Sequence, residues 1–170
     1  MRPTGVALVN IDGTTWVRGS ELLLRFKQNG FTVTGSYVFV DSSDPDPSGI
    51  GRREVPLKPK HTAGLVGMWE EHGKGRIGLE AYYNGAQALE DNPYRTRSRP
   101  YLHLGILGEI TFGKVSLFVN AENLLDVRQT KYDPLLLPRR AVSGQWTVDA
   151  WAPLEGFILN GGIRLRFGGH

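Results

Sequence analysis

Between Val115 and Gln129 the chain reads VSLFVNAENLLDVRQ. Its first half alternates Val115, Leu117, Val119 and Ala121 with Ser116, Phe118, Asn120 and Glu122, the period-two pattern of a strand with one apolar and one largely polar side. The same grammar recurs along the sequence. Leu22, Leu24 and Phe26 alternate with Glu21, Arg25 and Lys27; Ile77, Leu79, Ala81 and Tyr83 with Arg76, Glu80 and Asn84; Leu104, Ile106 and Ile110 with His103, Glu109 and Thr111. Strands are expected near 5–10, 15–27, 31–42, 61–71, 75–89, 101–112, 115–126 and 156–167, an all-β chain. One face of each suits lipid or a core, and the other carries full charges. Alternation in a single strand does not choose between a soluble sheet and a membrane barrel, because a lipid-facing strand shows the same pattern with its polar side turned inward.

The connections discriminate further. From residue 15 onward, short links at 28–30 (QNG), 72–75 (HGKG) and 113–114 (GK) alternate with long ones at 43–60, 90–100 and 127–155. Tight turns therefore gather at one end of the sheet and long loops at the other, the asymmetry of outer-membrane barrels. Glu21, Arg25, Glu80, Glu109, Glu122, Arg164 and Arg166 would be poor lining for the apolar cavity of a small soluble barrel. They suit a wide, wet lumen.

Composition agrees with a sheet protein rich in turns: 22 glycines and 10 prolines in 170 residues. The chain has no cysteine, which excludes disulfides and thiolate metal sites. A net charge of +3 is spread along the chain instead of gathering in a stripe, so no nucleic-acid partner is expected. No run of 18 apolar residues occurs, so a membrane role has to come from strands. The opening MRPTGVALVN lacks the apolar core of a signal peptide, which leaves a cytoplasmic protein or a piece of something longer.

Four segments in order carry a resemblance: RGSELLLRF (18–26), REVPLKPKHTAGL (53–65), LFVNAENLLDVRQ (117–129) and WAPLEGFILNGGIRLRF (151–167). Together they are similar to the C-terminal part of a TonB-dependent outer-membrane receptor. In that family the penultimate strand ends in an Asn-Leu-(Phe/Leu)-Asp element, matched by Asn123, Leu124, Leu125 and Asp126. A long extracellular loop follows, and the last strand starts through Pro-x-x-Gly and ends on an aromatic, matched by Pro153, Gly156 and Phe167.

The resemblance implies an antiparallel meander of seven or eight strands belonging to a transmembrane barrel of twenty-two. Residues 1–170 would then be a partial barrel, with the plug domain and the N-terminal strands absent. It implies a place in the outer membrane, contact with its lipid, and active transport of a scarce nutrient such as a ferric siderophore or cobalamin. TonB would be reached only through the missing N-terminal part. Asn160, Gly162, Leu165 and Phe167 resemble the terminal signal read by the barrel-assembly machinery, although GGH follows Phe167 where the family usually ends. The alternatives are a complete eight-stranded outer-membrane barrel, structural or adhesive, which requires 5–10 to close onto 156–167, and a soluble ligand-binding barrel.

Other chemistry is sparse. DSSDPDPSG (41–49) begins like a calcium loop, but its twelfth position is Val55 where an acid is needed. HGKG lacks the spacing and the Ser or Thr of a phosphate loop. His61, His72, His103 and His170 form no i, i+4 pair. No enzymatic activity, metal or cofactor is expected. The long loop at 127–155 combines Arg128, Lys131, Arg139 and Arg140 with Tyr132, Trp146 and Trp151. It is expected to be either a solvated loop or the holder of an anionic, aromatic-bearing small molecule, with Arg128, Lys131, Tyr132, Arg139, Arg140 and Trp146 as candidate contacts. Trp16, Trp69, Tyr83, Tyr101, Trp146 and Trp151 are expected to girdle a membrane barrel, or to fill a core if there is no membrane.

Overall fold

The computed structural model describes residues 13–141 and 144–167. It is an antiparallel meander of β1 (Trp16–Gln28), β2 (Phe31–Pro45), β4 (His61–Glu71), β5 (Gly75–Asn84), β6 (Tyr101–Phe112), β7 (Val115–Glu122) and β8 (Ile158–Leu165), with β3 (Arg52–Arg53) paired to the end of β2. The expected strand at 5–10 lies outside the described residues. Several expected boundaries move, with β2 running on to Pro45 instead of 42 and β8 ending at Leu165 instead of 167. β5 stops at Asn84 instead of 89, β7 stops at Glu122, so that Asn123–Asp126 is a turn, and β8 starts at Ile158.

Each short link is a tight turn built by its own residues. Asn29 and Gly30 both take positive φ, 48° and 81°, the I′ geometry whose twist matches that of the strands it joins. At 113–114 only Gly113 is left-handed, with φ 59°, which is the II′ pattern.

Register sorts the side chains into two faces. The row Phe31, Trp69, Ile77, Gly108, Val119, Gly161 runs across β2 to β8 on one side. The next row, Glu70, Arg76, Glu109, Phe118, Gly162, lies on the other. Leu104, Ile106, Ile110, Leu117, Val119, Leu159, Ile163 and Leu165 share the first face, and His103, Glu109, Glu122 and Arg164 the second. The apolar face carries no charge between the Arg18–Asp41 pair near the loop end and Glu71, the last residue of β4, which shares a row with Gly75, Ile110, Leu117 and Ile163 beside the short turns. From Leu102 to Phe112 is ten residue steps, about 34 Å along a strand at about 3.4 Å per residue. Tilted by about 40°, such a strand stands about 26 Å tall, close to the apolar band of about 25 Å in outer-membrane barrels.

Aromatics mark both rims of this band. Phe26, Phe31, Trp69 and Phe112 stand on the apolar face near the short turns, and Trp16, Tyr37, Phe39 and Tyr83 near the loop end. Of the six aromatics expected to form girdles, Trp16, Trp69 and Tyr83 stand in these two rims. Tyr101 points to the charged face opposite Asn84, while Trp146 and Trp151 belong to the loops.

The two edges constrain the architecture. Among the described residues β1 pairs only with β2, and β8 only with β7. Seven successive antiparallel neighbours leave β1 and β8 running in the same direction, so joining them directly would make a parallel ladder. Antiparallel closure requires an odd number of further strands between them.

Candidate functional site: the loop layer and the charged face

Among the described residues the buried side chains lie mainly in the long loops, because these residues place no second layer over either face of the sheet. Val127, Val148, Trp151 and Ala152 are buried there. The organising turn is Asn123–Asp126. Asn123 and Asp126 take left-handed φ of 51° and 50°, which short polar side chains tolerate best among L-residues. The Asn123 amide donates to the carbonyl oxygens of Val127 (2.9 Å) and Glu155 (3.1 Å), and its Oδ1 accepts from the Val127 N–H at 2.9 Å. Asp126 Oδ1 accepts from the Phe157 N–H at 3.1 Å, while Oδ2 meets Lys131 at 2.7 Å and Arg128 at 3.0 Å. Lys131 first, then the Phe157 N–H, holds the Asp126 carboxyl below its usual pKa. Gly156 is needed here because an added Cβ would lie 2.1 Å from Asp126 Oδ1.

Gln129 opens the short 3-10 turn Gln129–Lys131 and is 0 % exposed. Its Oε1 accepts from the Trp151 N–H at 2.8 Å, its Nε2 donates to the Asp149 carbonyl at 3.1 Å, and its N–H to that of Pro153 at 2.9 Å. Gln87, from the β5–β6 loop, donates to the Trp151 carbonyl at 3.0 Å. Arg95 of that loop pairs with buried Asp133 at 2.6 Å and lies 5.4 Å from the Trp151 ring centroid. The β2–β4 loop joins through Arg53–Glu90 at 2.7 Å and Arg97–Glu54 at 2.6 Å. Lys60, with help from Arg97, lowers the Glu54 carboxyl below its usual range. Three loops are thus fastened into one layer over the loop end of the sheet.

Within it, Leu89, Pro93, Leu137, Pro138 and Ala141 form the apolar part of a cleft of about 480 Å3, with Arg95, Arg139 and Asp91 as its charged lining. Such a volume is ordinary for a small-molecule site, about 300–1,000 Å3. The six expected contacts do not form one site. Arg128 and Lys131 converge on Asp126, Tyr132 stacks under Arg99 at 4.5 Å and beside Trp151 at 6.1 Å, and Arg140 lies 4.5 Å over Trp146. Arg139 alone of the six lines the cleft. Arg95, Gln87 and Gln129 escaped the sequence reading, since partners 20 or more positions away give no local signal.

In the acidic loop each carboxylate has its own partner. Asp41 pairs with Arg18 at 2.8 Å, Asp44 is 4.0 Å from Arg53, and Asp46 accepts from the Ser48 N–H at 2.8 Å.

On the charged face Glu109 is held between Arg76 at 2.7 Å and Arg164 at 3.0 Å. Its side chain is 5 % exposed, and neighbouring Ser116 is only 1 % exposed. Among the described residues no second layer covers this face, and Glu109 is shielded by its neighbours in the sheet, Arg76, Arg164 and Phe118. Asn160 and Gly162 lie on this side, and an added Cβ at Gly162 would come within 2.9 Å of the Phe118 ring. Leu165 and the strongly exposed Phe167 complete the terminal segment, Leu165 on the apolar face.

No family model matches the chain. No curated protein matches its sequence. Among solved structures, the fold is similar to the crystal structure of the ferric-catecholate import receptor Fiu from E. coli K12 in its closed form, with a TM-score of 0.62 and 17 % sequence identity over 91 % of this chain. At that identity the likeness is one of fold, and the chain spans 22 % of the receptor's length: this is the sheet of a barrel wall.

Proposed function

We propose that these strands are part of the transmembrane barrel of an outer-membrane active transporter, energised through TonB, that takes up a scarce nutrient such as a ferric siderophore or cobalamin. The observation that carries the reading is the division of the sheet: an apolar face bounded by two aromatic rims, backed by a face on which Arg76, Glu109 and Arg164 are ion-paired. In lipid every backbone polar group needs an internal partner, which only helices and closed barrels provide. The free edges of β1 and β8 therefore call for further strands, odd in number. The loop layer would face outward, and its cleft between Arg95 and Arg139 would receive the ligand. Fold similarity to a ferric-catecholate import receptor supports the transporter class. Asn160, Gly162, Leu165 and Phe167 would serve recognition by the barrel-assembly machinery, with Gly162 also making room for Phe118.

The test is energy-dependent uptake by the full-length protein in cells with and without TonB, using radiolabelled ferric chelates and cobalamin. Uptake of one of them only when TonB is present supports the reading. A protein that fractionates with the soluble contents of the cell refutes it.

A further inference from the structure

On the apolar face of β4 to β7, toward the short turns, the sheet carries a groove of about 500 Å3 with an almost wholly apolar wall. Its floor is Gly108, where an added Cβ would meet no atom within 4 Å. Ile77 and Val119 flank Gly108 in the same register row, and Trp69 and Leu117 extend the walls. One end is not apolar. Lys74, on the β4–β5 turn, lines the groove; its side chain is 73 % exposed and pairs with Glu71 in an i, i+3 contact. Exposed pairs of this kind hold a lysine weakly, leaving the ammonium free to exchange partners. Lys114 sits on the next short turn.

We infer that this groove binds one anionic phospholipid, its acyl chain lying over Gly108 and its phosphate held by Lys74. The inference rests on the bilayer reading above and adds a specific site to it. A groove opening sideways from a lipid-facing wall is filled from the bilayer, not from water. Trp69 stands in the rim of aromatics that marks headgroup depth, so the neighbouring turn carries Lys74 at the level of the phosphates. Lysines at that depth favour anionic over zwitterionic lipid. The glycine supplies the fit: at Gly67, two strands away on the same face, the Cβ position is also open, yet that residue does not line the groove.

The experiment uses full-length protein in vesicles of equal phosphatidylethanolamine and phosphatidylglycerol, extracted in mild detergent, with retained lipid counted by native mass spectrometry. Parental protein should keep one phosphatidylglycerol. Gly108→Trp should lower that retention by about tenfold or more, Gly67→Trp should not, and Lys74→Glu should remove the preference for phosphatidylglycerol. Should Gly108→Trp fail to integrate, Gly108→Leu is the smaller filler. Undiminished retention in the groove-filled variant, equal loss in Gly67→Trp, or no headgroup preference in the parental protein each overturns the site while leaving the bilayer reading intact. Failure of the parental protein to integrate at all overturns both.

Discussion

Ile106 and Leu107 are adjacent on β6 and point to opposite faces, which makes them a direct test of which side meets lipid. Ile106 is in register with Leu79 and Ala121 on the apolar face, four residue steps from Leu102 and six from Phe112. That places it in the middle of the apolar band. Leu107, opposite Gly78 and Asn120, borders a hollow of about 420 Å3 on the charged face that also includes Glu80 and Arg164. Arginine at the midplane of a barrel's lipid face costs about 2–4 kcal/mol, equivalent to about a 30- to 800-fold fall in the folding equilibrium. Ile106→Arg should lose this amount in reversible folding of the full-length protein into phospholipid vesicles, followed by tryptophan fluorescence against guanidinium. Leu107→Arg has open polar space and a carboxylate within its hollow, so its loss should stay below about 1 kcal/mol, as for surface substitutions that break no buried partnership. Equal losses, or the larger loss at 107, would refute the assignment of faces.

The same logic extends to the loops. Asn123→Ala removes three hydrogen bonds at a buried position and should destabilise the loop layer by about 2–4 kcal/mol, seen as faster hydrogen exchange at Val127 while the exchange of β6 is unchanged. Gly156→Ala forces Asp126 to give way and should raise proteolytic cleavage between 126 and 157. Because the folded pKa of Asp126 is depressed, its stabilising effect is complete above the unfolded value of about 3.9 and fades as pH falls through the folded pKa. Protection of the Phe157 amide should therefore drop on acidification below about pH 4 in the parental protein, and Asp126→Asn should abolish that dependence. Replacing Arg139 with Ser should weaken ligand binding to the full-length protein more than replacing Arg128 and Lys131, which already share a carboxylate; equilibrium affinity measured alongside vesicle integration decides between them.

Strand positions and faces were legible in the sequence because alternation is local: consecutive side chains in a pleated strand must point to opposite sides, so Leu104, Ile106 and Ile110 could be separated from His103 and Glu109 before any pairing was known. The short turns were legible for the same reason, since Asn29-Gly30 and Gly113 supply the positive φ that two-residue hairpins demand. The turn at Asn123–Asp126 was visible only as a motif; its job, pinning the start of β8 through the Phe157 N–H, depends on a residue 31 positions away. Residue type alone marks the cations and aromatics of the long loop as candidate contacts, and the tertiary structure distributes them: Arg128 and Lys131 neutralise Asp126, Arg140 stacks on Trp146, and of the six only Arg139 reaches the cleft, where Arg95 from another loop joins it. Charge and aromaticity state what a side chain can bind. Which partner it meets is set by chain segments far apart in sequence, whose approach costs loop-closure entropy and is repaid only when the whole layer assembles. The groove over Gly108 belongs to the same class of fact, because a missing side chain becomes a hollow only once strands β5 and β7 place Ile77 and Val119 on either side of it.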